Sequence, residues 1–146
     1  MRAAARRFAL ALLAIGLSVP LVLPSLAQSL VARGDTLRFA GETSALEKYR
    51  LALALDPSNL EAADRISFSA FLSRDPARLR AALDLVTPML SRRDDTALLL
   101  DRALIRHLLK QYRGAARDFS ILGERGNRLA ARLARADRRS LTGERR

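Results

Sequence analysis

The pattern of apolar and polar positions changes after residue 27. An uninterrupted apolar run from Phe8 to Leu23 gives way to short apolar segments that charged residues, Pro and Gly divide. Ser44 and Ser58, each followed by a Glu three positions later, match the capping box that begins a helix. Such start and stop signals predict seven short helices joined by turns. The predicted helices cover about 33–40, 44–55, 58–71, 76–86, 95–109, 114–122 and 127–139.

Single residues set several of the remaining boundaries. Asp75 stands directly before a Pro, the arrangement of an N-cap followed by Pro in the first turn, and Asp94 or Asp95 is expected to cap the fifth helix. Pro88 is expected to end or kink the fourth helix because Pro has no backbone donor. Gly123 is expected to end the sixth helix, since Gly is common just after the last helical residue.

Composition supports an all-α fold and argues against enzyme chemistry. Ala, Leu and Arg fill 79 of the 146 positions, whereas Val and Ile together number eight, too few to furnish a β-sheet. The absence of Cys excludes disulfides, thiol nucleophiles and Cys-based metal sites. The single His, His107, has no second His to share a metal. We therefore predict no catalytic residue, no cofactor-binding residue and no metal ligand.

The first 27 residues have the layout of a secretory signal peptide. Three Arg residues precede the apolar run, and Ser25 and Ala27 place small residues at the third and first positions before a cut. Cleavage is expected between Ala27 and Gln28, which predicts export to the bacterial periplasm. The alternative is an uncleaved membrane anchor, although the apolar run is shorter than the roughly 20 residues that cross a bilayer.

A spacing of small and large residues recurs along the rest of the chain. Ala45, Tyr49 and Ala52 are separated by steps of four and three, with Pro57 five residues further on. Degenerate copies of this spacing begin 34 and 70 residues later and consist of Leu79, Leu83 and Val86, and of Ala115, Phe119 and Leu122. In these features the chain, most clearly over residues 41–59, resembles the tetratricopeptide repeat family, whose unit is a helix–turn–helix of 34 residues.

The resemblance implies a short array of antiparallel helical hairpins over residues 28–125, with residues 126–146 as a basic capping helix and tail. The alternative is an irregular helical bundle. In the family, the first helix of each hairpin lines a concave face that binds a peptide or a partner helix. The best alignment assigns to this face Leu37, Asp64, Phe68, Phe71, Leu104 and Leu108, with Leu100 or Asp101 in the third unit. The alternative role for Phe68 and Phe71 is core packing.

Positive charge is concentrated near the carboxyl terminus. Residues 111–146 carry ten basic and four acidic side chains, and four of the basic ones share one face of the last predicted helix: Arg128, Arg132, Arg135 and Arg139. Leu129, Leu133 and Ala136 form a predicted apolar stripe beside them. The basic stripe is a candidate site for an anionic membrane or another polyanion. The alternative is a cap whose Arg residues only keep the array soluble.

The predicted function is therefore that of an exported, non-enzymatic adaptor that binds an unidentified protein or peptide. The second hypothesis is an envelope protein held at a membrane surface, either by an uncleaved amino terminus or by the basic helix. Nucleic acid is disfavoured as a partner, because export separates the chain from it and few aromatic side chains are present to stack on bases.

Overall fold

The computed structural model describes residues 22–37 and 42–142, and these residues form seven α-helices and no strands. The predicted all-α class is thereby confirmed. Residues 1–21, which hold most of the predicted signal peptide, lie outside the described residues. The helices are α1 (22–37), α2 (Glu42–Leu55), α3 (Leu60–Ser73), α4 (Pro76–Arg92), α5 (Thr96–Leu108), α6 (Tyr112–Glu124) and α7 (Arg128–Thr142).

The chain divides into two compact units, one ending at Asn59 and the other beginning at Leu60. In the first unit, α1 and α2 meet at Tyr49, which is almost completely buried. Its ring lies so close to Gly34 that a Cβ at that glycine would come within 2.5 Å of Tyr49 Cε1. The Tyr49 hydroxyl donates a hydrogen bond of 2.7 Å to Asp35 Oδ1. A glycine on α1 therefore makes room for the largest side chain of α2.

In the second unit, each helix packs against the next, and α3 also packs against α5. One core cluster joins α3, α4 and α5 and consists of Ala70, Leu79, Ala82 and Ile105. A second joins α5, α6 and α7 and consists of Leu99, Ala103, Ala115, Phe119, Leu122, Ala130 and Ala134. Burying these apolar side chains stabilises the unit in proportion to the area removed from water.

Two of the predicted N-caps are confirmed. Asp75 accepts a hydrogen bond of 2.9 Å from the backbone N–H of Ala77 at the start of α4. Asp95, rather than its neighbour, accepts a bond of the same length from the Leu98 N–H at the start of α5. Each carboxylate satisfies one of the backbone donors that the first turn of a helix leaves unpaired.

The two predicted capping boxes are wrong. Ser44 lies inside α2, which begins two residues earlier, and therefore has no cap to form. Ser58 precedes α3, but its hydroxyl donates to Asp56 Oδ1 at 2.7 Å, so the side chain closes the preceding turn instead of capping the helix. Ser and Asp residues form such local turn bonds as readily as caps, which is why the sequence signal was ambiguous.

Two predicted helix ends are also wrong. Pro88 lies inside α4, which continues to Arg92, where Leu90 beyond the proline packs against the second core cluster; the expected helix end is therefore wrong, whereas a kink at this proline stays a prediction. Gly123 lies inside α6, where a Cβ would come within 2.9 Å of Ala131 Cβ on α7. Gly123 thus permits a close helix contact, and the left-handed turn after α6 falls at Gly126, with φ of 93°.

Candidate functional site

The predicted groove residues fall in both units. Leu37 is half-buried on α1 in the first unit. Asp64, Phe68 and Phe71 are on α3 in the second unit, where Phe68 is 45% exposed and Phe71 is half-buried. The structure therefore gives these two phenylalanines different surroundings. Phe68 presents an apolar ring to solvent, whereas Phe71 is partly covered.

The two predicted groove leucines of α5 are partly covered by the cores. Leu104 packs against the cluster that joins α5, α6 and α7, and Leu108 packs against the cluster that joins α3, α4 and α5. Both side chains are half-buried, so each retains some exposed apolar surface. Because α3 packs against α5, this surface belongs to the same unit as Phe68.

Two of the residues assigned to the predicted groove interact through their carboxyl groups: Asp64 on α3 and Asp101 on α5. The pKa of Asp101 is raised from 3.8 to about 7, mainly by burial, then by repulsion from and hydrogen bonding to Asp64, with a smaller contribution from Asp95. Arg65 donates a hydrogen bond of 3.0 Å to Asp64 Oδ2. Two carboxyl groups that interact in this way favour a state in which they hold one proton between them.

A buried ion cluster between α5 and α6 was missed by the sequence analysis. Asp118 is 1% exposed and accepts two bonds of 2.9 Å from Arg102 and one of 2.7 Å from Arg106. The residue falls on the buried face of α6 beside Ala115 and Phe119. An acidic residue on an otherwise apolar face was the signal that could have revealed it, because a buried carboxylate requires partners.

The single histidine joins α5 to α7. His107 Nδ1 lies 2.7 Å from Asp137 Oδ1, and the ring edge of His107 contacts the ring of Tyr112, with centroids 5.8 Å apart. Asp137 is 1% exposed, and its second oxygen has no hydrogen-bond partner in the described part of the chain. Within the described residues, no group of three or more His, Cys, Asp or Glu side chains could hold a metal.

The predicted basic stripe lies on the solvent side of α7. All four of its side chains, Arg128, Arg132, Arg135 and Arg139, are exposed. The buried face of the helix, however, consists of Ala130, Ala134 and Asp137, with Leu133 partly buried beside them. Of the predicted apolar stripe, Leu129 is 66% exposed and Ala136 is also exposed, so the alternative in which both Leu129 and Leu133 dock as a cap is wrong at Leu129.

A second cationic feature was not predicted. A cleft of about 450 Å³ opens where α5 ends and α6 begins, and Tyr112 and Leu141 form part of its wall. None of the described residues that line it carries a carboxylate. We call it the basic cleft, after its four cationic side chains, Arg106, Lys110, Arg113 and Arg117. It draws on α5, α6 and the end of α7, so only the folded unit brings its wall together.

Comparison with known proteins adds no family assignment, since neither a family model nor a curated protein matches the chain. Among the helices within 22–37 and 42–142, none combines the length and apolarity needed to cross a membrane. Any function must therefore be inferred from the surfaces described above.

Proposed function

We propose that the chain is an exported, tetratricopeptide-like adaptor without enzymatic activity that holds a peptide or a partner helix against α3 and α5. The observation that carries this proposal is the packing of α3 against α5 as well as against α4. In an array of helical hairpins the first helices of neighbouring units lie side by side in this way and present one continuous face. The proposal takes α3 and α5 as such first helices.

The side chains along α3 and α5 suit the recognition of an apolar anchor. Phe68 offers an exposed aromatic ring, and Leu72 one turn further along α3 is 62% exposed. Half-buried Leu104 and Leu108 extend the apolar surface on α5. Aromatic and aliphatic side chains that are already held by a rigid helix lose little conformational entropy on binding, which is why such residues dominate binding energies at interfaces.

Site-specific photocrosslinking tests the adaptor proposal. A photoreactive phenylalanine analogue is placed at position 68 of the full chain, and the same analogue is placed at position 129 of a second chain as a control. Both native residues are exposed apolar side chains on helices of the second unit, so the two probes differ only in location. We expect a discrete crosslinked partner from position 68 alone. Equal labelling from both positions would contradict the proposal.

Substitution provides an independent readout of the same surface. Phe68→Ser should abolish the crosslink made by a probe at Leu72, while the free energy of unfolding falls by clearly less than the about 3–5 kcal/mol typical of truncating a core phenylalanine, because the side chain is 45% exposed. Leu129→Ser is the matched control and should leave the crosslink intact. A large loss of stability in Phe68→Ser would instead assign that ring to the core.

Association with an anionic membrane surface is the second candidate function. It is favoured by the exposure of the whole basic stripe together with Leu129, an exposed apolar side chain adjacent to Arg128. Arginines beside an exposed leucine suit the interface between headgroups and acyl chains. Replacing the four stripe arginines by Gln should keep the helix and weaken binding to anionic vesicles by about 1 kcal/mol per arginine. Vesicle binding that is unchanged in this variant would reject the stripe as the membrane site.

Export is part of the proposal and can be tested by mass. In the uncleaved chain α1 runs through the predicted cleavage site, and Ala27 is completely buried. Proteases cleave exposed, irregular backbone far more readily than packed helix, so cleavage is expected before the first unit folds. The intact mass of exported protein should correspond to a chain that begins at Gln28. A mass that retains Met1 would favour the anchored alternative.

A further inference from the structure

Three of the four cations of the basic cleft have no ion-pair partner among the described residues, unlike Arg65 and Arg125 elsewhere in the second unit. Arg65 pairs with two carboxylates, and Arg125 pairs with Asp94. Arg113, Arg117 and Lys110, by contrast, form no ion pair with a described residue. The two arginines are four positions apart on α6, a spacing at which like charges repel and destabilise a helix. The cleft therefore concentrates positive charge that a described carboxylate neutralises only at Arg106.

Arg106, the fourth cation of the cleft, is held in place by a buried carboxylate. Arg106 shares the buried Asp118 carboxylate with Arg102, so one negative charge serves two guanidinium groups. The Arg106 side chain also packs over Gly114, where a Cβ would lie 3.1 Å from Arg106 Cδ. This ion cluster keeps a net positive charge at the wall of the cleft and restricts the freedom of Arg106. A restricted cation loses less entropy when it binds an anion.

We propose that the basic cleft binds a phosphate group, carried either by a small soluble molecule or by a lipid headgroup. Its volume falls within the range of small-molecule sites, roughly 300–1,000 Å³. Guanidinium groups match phosphate oxygens with two parallel hydrogen bonds, and Lys110 adds a further donor. The first turn of α6 contains no acidic residue, so its backbone donors add to the attraction for an anion. This site is separate from the α3 and α5 face and from the basic stripe.

Calorimetric titration of the full chain with pyrophosphate at low salt tests the site. We expect saturable binding of one pyrophosphate per chain in the native protein. The double variant Arg113→Gln, Arg117→Gln should weaken the affinity by about tenfold or more, since it removes two charge-assisted contacts. Gln forms helices nearly as well as Arg, and both positions are exposed, so the melting curve should stay unchanged.

The matched control removes the same charge elsewhere. Arg80 and Arg92 are exposed on α4 and do not line the cleft. The double variant Arg80→Gln, Arg92→Gln should bind pyrophosphate with native affinity. An equal loss of pyrophosphate affinity in both double variants would show that only the overall charge matters, and would overturn the proposal. The absence of saturable binding at millimolar pyrophosphate would also overturn it.

Vesicles distinguish the two sources of the phosphate group. Native chain and the Arg113→Gln, Arg117→Gln variant are sedimented with vesicles of phosphatidylglycerol in phosphatidylcholine, with and without pyrophosphate. Weaker sedimentation of the variant, together with release of native chain by pyrophosphate, assigns the site to a lipid headgroup. Equal sedimentation of the two proteins, combined with the calorimetric result above, assigns it to a soluble phosphate compound.

Discussion

The carboxyl pair formed by Asp64 and Asp101 leads to a prediction about stability and pH. The folded protein holds the Asp101 proton with a pKa of about 7, whereas an exposed aspartic acid in the unfolded chain releases it near 3.8. Between these pH values the folded state binds a proton that the unfolded state has lost. The free energy of unfolding therefore falls as pH rises from about 4 to about 7, and this contribution is constant above that range.

The size of the effect follows from the shift in pKa. Each pKa unit corresponds to about 1.4 kcal/mol, so a shift of this size destabilises the protein at pH 8 by up to about 4 kcal/mol relative to pH 4. Asp101→Asn removes the titrating group and keeps a donor that can bond to Asp64. The variant should therefore exceed the native protein in stability at pH 8, by about 1 to 4 kcal/mol, and the difference should shrink as pH falls toward 5.

Urea unfolding followed by circular dichroism at pH 5, 6, 7 and 8 measures this difference directly. Asp84→Asn, at an exposed position of α4, is the control and should leave the pH dependence of the native protein unchanged. The comparison between native protein and variant cancels the contributions of titrating groups that do not interact with Asp101. If Asp101→Asn changes stability by the same amount at pH 5 and pH 8, the carboxyl pair does not share a proton and the reasoning fails.

Three further experiments, with five substitutions in all, test the packing. Asp118→Asn should lower the free energy of unfolding by about 3–5 kcal/mol in urea melts, because it leaves two partly buried guanidinium groups without a counter-charge; a loss below 1 kcal/mol would contradict the ion cluster. Ala52→Leu should cost about 1–3 kcal/mol at a fully buried site, while the exposed Ala54→Leu should be nearly neutral. Leu133→Ala should cost about 2 kcal/mol and Leu129→Ala at most about 0.5 kcal/mol; the reverse order would restore the predicted apolar stripe.

The sequence predicted the features that depend on interactions between residues close together along the chain. The number and class of the helices follow from helix-forming composition and from punctuation, and the caps at Asp75 and Asp95 follow from carboxylates that bond to a backbone donor two or three residues away. The continuation of α4 through Pro88 depends instead on side chains packed against neighbouring helices. No local signal contains that information, because packing overrides propensity.

The buried face of α7 shows a second limit of sequence reasoning. Periodicity selected Leu129 because it is large and apolar, but α6 and α7 approach so closely at Gly123 and Ala131 that this contact requires small side chains. Ala130 and Ala134 therefore occupy the buried face, and Leu129 is left in solvent. A hydrophobicity pattern measures how strongly a residue avoids water and does not report the distance between helices.

The candidate sites also differ in whether the sequence alone could predict them. The exposed basic stripe could be predicted because its four members lie on one helix, at spacings that one helix determines. The partnership of Asp64 with Asp101 and the wall of the basic cleft each require residues from different helices. Such groupings depend on which helices become neighbours, and the sequence left both a hairpin array and an irregular bundle open.

The small side chains of the core determine which mutational scan can map this protein. Alanine supplies twelve of the 22 buried apolar side chains among the described residues. An alanine scan reports nothing at those twelve positions, and a survey of this kind would assign the interior to the other ten: five leucines, two valines, one isoleucine, one tyrosine and one phenylalanine. Scanning with glycine and with a larger residue would instead probe helix stiffness and interhelical spacing separately, and at the Ala-rich contact of α6 with α7 the larger residue should give the clearer signal.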